Sequence, residues 1–189
     1  MTTLRDYQQE AIAAILADWA EVDRTLAVLA TGTGKTIIFL ALLEQLRQAG
    51  QLGRALIVAH RRELIQQPLE RARAFFPELA ADMGVVMAAE DNVAARHVVA
   101  TVQTLASDRR LARLLEHGAF SHLVVDECHH STSSTYQRLI ERVGAAKVLG
   151  VTATPLRTDG DGLVRVFSRV SYRLPISAAI RRGALVPFN

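Results

Sequence analysis

Two short runs carry the residues most able to do chemistry. The first is Ala30-Thr31-Gly32-Thr33-Gly34-Lys35-Thr36. A short apolar run, Thr25-Leu26-Ala27-Val28-Leu29, precedes it, and a longer one from Ile37 to Leu46 follows. That is strand, glycine loop, helix, with Lys-Thr at the helix start. Such a loop can cradle phosphate. Glycines let backbone N–H groups face one centre and the helix N-terminus adds partial positive charge. Lys35 reaches the outer phosphates, and the Thr36 hydroxyl can hold Mg²⁺. The common pattern opens on Gly where this chain has Leu29. The competing reading is a flexible strand-to-helix turn.

The second run is His122-Leu123-Val124-Val125-Asp126-Glu127-Cys128-His129-His130. A buried strand delivers two carboxylates at its tip, and these are costly unless they hold a cation or a proton. Beside a phosphate loop, Asp126 suits Mg²⁺ and Glu127 suits the orientation or deprotonation of an attacking water. His129 and His130 raise the question of zinc, but Cys128 is the sole cysteine and no cysteine pair exists to complete such a site.

Weaker signals lie at other strand ends. The strand Arg54-Ala55-Leu56-Ile57-Val58-Ala59 runs into His60-Arg61-Arg62. Positive charge at a helix start is unfavourable, so these arginines either hold phosphates or are solvated surface charge. Thr101, Gln103 and Thr104 close the run 98–105, read here as a strand, and are uncharged hydrogen-bonders suited to backbone or phosphate contacts without base specificity. Thr152 and Thr154 bracket Ala153 before Pro155, where a plain turn is the alternative.

These groups need strands that end together. Candidate strands fall at 26–30, 55–59, 83–87, 97–100, 123–126 and 147–152, with helical patterns at 36–49, 62–76 and 136–143. A further short helix is expected at 176–183, ending in Gly. The alternation predicts an α/β fold with a mostly parallel sheet covered on both faces. Leu4, Ala11, Ile12, Ile15, Leu16 and Trp19 give an N-terminal helix one buried stripe. Pro68 is expected to kink or interrupt the second helix.

The chain has 189 residues, half of them apolar, which suits one domain with a full core. No apolar run is long enough for a membrane span, so no membrane partner is expected. Cys128 is the sole cysteine, which fits a reducing cytoplasm. The net charge, 22 − 19 = +3, is mildly basic. The preference for Arg suits phosphate contacts, or reflects base composition of the gene.

Taken together, six motifs in order resemble the first RecA-like domain of superfamily 2 helicases and translocases. They are Leu4-Arg5-Asp6-Tyr7-Gln8, Ala30 to Thr36, Val58-Ala59-His60-Arg61-Arg62-Glu63-Leu64, Ala100-Thr101-Val102-Gln103-Thr104, Asp126-Glu127-Cys128-His129 and Thr152-Ala153-Thr154-Pro155. The Asp-Glu-Cys-His form looks most like the branch of restriction-enzyme translocating subunits and repair-type DNA helicases. The resemblance implies a RecA-like P-loop NTPase domain of three layers, α/β/α, spanning residues 1–189. It implies ATP and Mg²⁺ as cofactors and nucleic acid as partner, with DNA favoured over RNA. By the same resemblance, Arg5 packs near the adenine and Gln8 bonds its edge. Thr31, Gly32, Thr33, Gly34, Lys35 and Thr36 hold phosphates, and Thr36 and Asp126 hold the metal. Glu127 acts on water. His129, Thr152 and Thr154 couple hydrolysis to motion, and Arg61, Gln103 and Thr104 touch one strand's backbone.

The family's motors close on ATP with a second RecA-like domain that supplies arginine fingers, and no such run occurs in this sequence. The chain is therefore expected to be one part of a larger protein and to turn over ATP poorly alone. A fold-retaining nucleic-acid-binding or regulatory module stands as the alternative, although Lys35, Asp126 and Glu127 are all present. A guanine-reading Asn-Lys-x-Asp run is missing, which disfavours a GTPase.

Overall fold

Alternate residues of each strand are buried on opposite faces, and that alternation decides where the helices lie. The computed structural model describes residues 3–60, 63–87, 90–130, 133–154, 163 and 166–186. The elements in order are α1 (Asp6–Trp19), β1 (Arg24–Leu29), α2 (Lys35–Gln48), β2 (Arg54–Ala59), α3 (Glu63–Phe75), α4 (Pro77–Ala81), β3 (Met83–Met87) and β4 (Glu90–Asp91). There follow β5 (His97–Thr101), α5 (Val102–Leu105), α6 (Asp108–Glu116), β6 (Phe120–Asp126), α7 (Ser134–Val143), β7 (Lys147–Thr152), β8 (Arg169–Leu174) and α8 (Ile176–Arg181).

The strands form one sheet in the order β4-β3-β5-β2-β6-β7-β1-β8. Every neighbouring pair is parallel except β3 with β4. On one face Ala27, Leu29, Ile57, Val99, Val124 and Leu149 pack under α1, α2, α3 and α4. On the other, Leu26, Val28, Leu56, Val98, Leu123 and Val125 pack under α5, α6 and α7. The result is the expected three-layer α/β/α domain with a mostly parallel central sheet.

Two local expectations are corrected. Helix α3 runs unbroken through Pro68. Proline inside a helix costs about 3 kcal/mol. Pro68 itself is buried beside Ile65, Leu69 and Ala72, whose packing offsets that cost. The run 98–105 is a strand only as far as Thr101. There the Thr101 side chain accepts the Thr104 N–H at 3.1 Å, which caps the single helical turn α5.

Arg54 ties together the edge of the sheet remote from the motif residues. Its guanidinium donates to the carbonyls of Leu114 (3.1 Å), Gly118 (2.6 Å), Val93 (2.9 Å) and Ala95 (3.3 Å). It also lies 4.4 Å above the Phe120 ring centroid.

Near the same edge, His97 is 1% exposed and neither ring nitrogen has a hydrogen-bond partner. Burial pushes its pKa down to about 4. The folded state therefore holds fewer protons than the unfolded chain between about pH 4 and 6.5, and His97 contributes a loss of stability as pH falls through that window. His97→Leu is expected to gain on wild type as pH falls, by about 2 kcal/mol at pH 5. Paired urea denaturations at pH 7.5 and pH 5 check this.

Candidate active site

The carboxyl ends of β1, β7 and β6 are level with one another. Val28 pairs with Thr152, and Asp126 pairs with Val151. Ligands of open α/β sheets bind beyond such ends, and here the two chemical runs of the sequence meet.

The loop after β1 is shaped by its glycines. Gly32 and Gly34 have φ of +86° and +80°, a region that other residues enter at a cost. Gly34 caps α2, so the N–H groups of Lys35, Thr36 and Ile37 precede the first helical bond, which Ile38 donates to Gly34 at 3.1 Å. Thr33 is buried and turns inward, its hydroxyl donating to the Ala30 carbonyl at 2.7 Å. Thr31 lies exposed on the loop, and Thr36 sits in the first turn of α2.

Helix α1 braces this loop. The Tyr7 hydroxyl donates to the Thr33 carbonyl at 2.8 Å, and the Gln8 amide reaches the same carbonyl at 3.5 Å. Gln8 Oε1 accepts the Arg5 N–H at 3.0 Å, and the Gln8 N–H returns to the Arg5 carbonyl at 2.9 Å. Gln8 is thus held at both ends of its amide, against the loop, while the Arg5 side chain is exposed. A Cβ at Gly34 would stand 2.9 Å from Gln8 Nε2, so close approach of the two depends on glycine.

The acidic pair joins a strained backbone at Glu127 to a buried carboxyl at Asp126. Glu127 has φ of +50°, the sole non-glycine residue with positive φ among those described. That conformation costs about 1–2 kcal/mol and aims the carboxylate at the loop. Lys35 Nζ lies 3.4 Å from Glu127 Oε1, and His129 Nδ1 lies 3.3 Å from Glu127 Oε2. His129 Nδ1 is also 3.2 Å from the Thr152 hydroxyl, which accepts the Thr154 N–H at 3.2 Å. Asp126 is 8% exposed and accepts the Glu127 N–H at 3.0 Å. Burial, and then the Glu127 charge, push its pKa up to about 6, against the opposing pull of Lys35.

Lys35, Glu127, His129, Thr152 and Thr154 therefore form one connected chain of polar contacts across three strand ends. Gln103 and Thr104 stand apart on α5. Four strand spacings separate β5 from β1, about 19 Å. Gln103 is exposed, whereas the Thr104 hydroxyl shares a 2.8 Å bond with Thr101. Arg61, like Arg62 and Pro155, lies outside the described residues. The pairing of His60 with Tyr136 on α7 went unforeseen: the rings stack at 6.4 Å and the Tyr136 hydroxyl reaches His60 Nδ1 at 3.4 Å. Tyr7 was likewise missed as a loop-bracing residue, although it stands beside Gln8 in the first motif.

Known proteins share this fold. The fold superposes on the Sulfolobus solfataricus SWI2/SNF2 ATPase core with a TM-score of 0.73 at 18% identity, over 88% of this chain and 35% of that one. The chain is 36% identical to the Schizosaccharomyces pombe protein irc3, named as a candidate mitochondrial ATP-dependent helicase, over 97% of this chain and 31% of that one. It is 34% identical to the Sulfurisphaera tokodaii DNA 3'-5' translocase XPB2, over 83% of this chain and 32% of the relative. It thus spans about a third of the length of these two relatives. Residues 1–157 match the family described as Type III restriction enzyme, res subunit. The chain belongs to that family, and with it to the superfamily 2 helicases and translocases, whose first RecA-like domain it represents.

Proposed function

We propose that this domain binds ATP with Mg²⁺ and forms the ATP-binding half of a DNA helicase or translocase, hydrolysing ATP once a second RecA-like domain completes the site. The carrying observation is the Lys35–Glu127 contact at 3.4 Å beside a buried Asp126. Lys35 and Glu127 neutralise one another, and entering phosphates compete for Lys35. When Lys35 turns to the outer phosphates, Glu127 is released to hold the attacking water in line with the γ-phosphorus and to take its proton.

The donor set fits Mg²⁺. The Thr36 hydroxyl and the Asp126 carboxylate are hard oxygen ligands, and no group of three His, Cys, Asp or Glu side chains that could hold a metal occurs among the described residues. Two protein oxygens shared with substrate phosphates match the way this ion is bound at phosphoryl-transfer sites. Bound there, Mg²⁺ would draw charge from the phosphate oxygens.

His129, touching both Glu127 and Thr152, is placed to report the state of Glu127 to β7. Thr152 in turn holds the backbone of Thr154, so a change at Glu127 can pass into the loop after β7. Exposed Gln103, with Thr104 and Arg61, would follow one strand's phosphates along the same sheet edge. DNA is favoured because XPB2 is a DNA translocase and the Sulfolobus core was solved with dsDNA. A reducing compartment such as the cytoplasm suits the single, buried Cys128, and no described helix is long and apolar enough to cross a membrane.

Lys35→Ala is expected to abolish ATP binding, read by calorimetry. In a protein carrying both RecA-like domains, Glu127→Gln should bind ATP but lose about 10²–10⁴ in kcat. Unchanged turnover would refute the role given to Glu127. The 189 residues alone should hydrolyse ATP weakly and unwind no duplex, and robust unwinding by them would overturn the two-domain reading.

Asp126 yields a stability test. Its folded pKa lies above the unfolded value, so its contribution is favourable below about pH 4 and is lost as pH rises through 6. Asp126→Asn should therefore raise stability without ligand by about 1–3 kcal/mol at pH 7, with no gain at pH 4. It should also lose the stabilisation that Mg–ATP gives wild type. Thermal melts at both pH values, with and without Mg–ATP, check both outcomes.

A further inference from the structure

The turn after α8 runs along the phosphate loop, and none of the roles above uses it. Its backbone reverses tightly, with the Gly183 N–H donating to Ile180 and the Ala184 N–H to Ala179. Leu185 is thereby laid on the glycine loop: a Cβ at Gly32 would stand 3.0 Å from Leu185 Cδ2. Three and two residues earlier, Arg182 and Gly183 line one open cleft together with Arg5, Asp6, Tyr7 and Glu10. Tyr7 joins this cleft to the loop through its bond to the Thr33 carbonyl. One short segment therefore reaches from the cleft beside α1 to the glycines that cradle phosphate.

Arg182 is fixed in that cleft. It donates to Glu10 Oε2 at 2.6 Å, and the Tyr172 hydroxyl of β8 donates to the same oxygen at 2.9 Å. These two donors hold the Glu10 carboxyl below its ordinary pKa. An ion pair this exposed adds little to stability. What it does provide is a defined position for a flat guanidinium, the cation best suited to lie on an aromatic ring.

We propose that Arg182 is a base-binding residue. The purine of the bound nucleotide lies between Arg5 on the α1 side of the cleft and Arg182 on the other, and Glu10 is the positioning residue that holds Arg182. This inference rests on the reading of the glycine loop as an ATP site.

The test compares ATP with inorganic tripolyphosphate, which has the phosphates and no base, by titration calorimetry with Mg²⁺. Arg182→Ala is expected to weaken ATP binding about tenfold and to leave tripolyphosphate unchanged. Arg182→Lys, which retains a cation for Glu10 but loses the planar group, should lose most of the same affinity. That second variant guards against a folding defect in the first. Equal loss for both ligands, or full recovery of ATP affinity in Arg182→Lys, would mean that Arg182 only braces α1 and would overturn the proposal. Wild-type affinity for ATP in both variants would overturn it while leaving the ATP site intact. Binding of neither ligand by wild type would refute the ATP site itself, and this inference with it.

Discussion

The structure turns on the burial of one carboxylate. Asp126 ends a strand in which Leu123, Val124 and Val125 before it are apolar and buried, and it stays mostly enclosed at the carboxyl edge of the sheet. A buried charge must be answered by cations, hydrogen bonds or protons. Here Lys35 answers in part, one backbone N–H in part, and a raised proton affinity makes up the rest. Glu127, in a left-handed conformation, contacts the same lysine at 3.4 Å. The domain without ligand therefore carries a local cost that a phosphate-bound cation would relieve, and binding energy can be drawn from that relief.

The same logic explains why the groups lie where they do. Parallel strands put all their carboxyl ends on one edge, so residues distant in sequence become neighbours without long loops. Lys35 and Glu127 are 92 residues apart in number, yet only β7 lies between their strands. Thr152 comes from that middle strand, so the hydroxyl that meets His129 is supplied by topology alone. Helix α1 serves this edge too: its buried stripe packs on the core, and Tyr7 and Gln8 at its start reach the glycine loop.

Much of this was legible in the residues. The apolar runs marked the inner strands to within a few residues because burial on both faces leaves little freedom of composition. The glycine loop and the Asp126–Glu127 pair are local signatures whose chemistry follows from type and order. The helical turn after Thr101 was not legible, because a hydroxyl that caps a helix and one that ends a strand look alike until the chain bends. Strand β8 escaped notice since an edge strand with Arg169, Ser171 and Arg173 lacks a continuous apolar run. Helix α6 was passed over although Leu111 and Leu114 mark its buried side. Pro68 does not interrupt α3, since it is buried on the helix side that carries Ile65, Leu69 and Ala72. The His60–Tyr136 contact joins residues 76 apart, a distance that no local pattern bridges.

Arg54 has a further consequence for how such a domain can vary. One guanidinium gathers carbonyls from two separate segments, the loop at residues 93 and 95 and the last turn of α6 with the loop after it, at 114 and 118. Lengthening either loop by a residue would cost several charge-assisted bonds together and would leave a cation half-enclosed. Insertions should therefore be tolerated poorly on this side of the sheet. The opposite edge is held in another way, by a relay of small contacts from Lys35 through Glu127, His129 and Thr152 to Thr154, each joining only one element to the next.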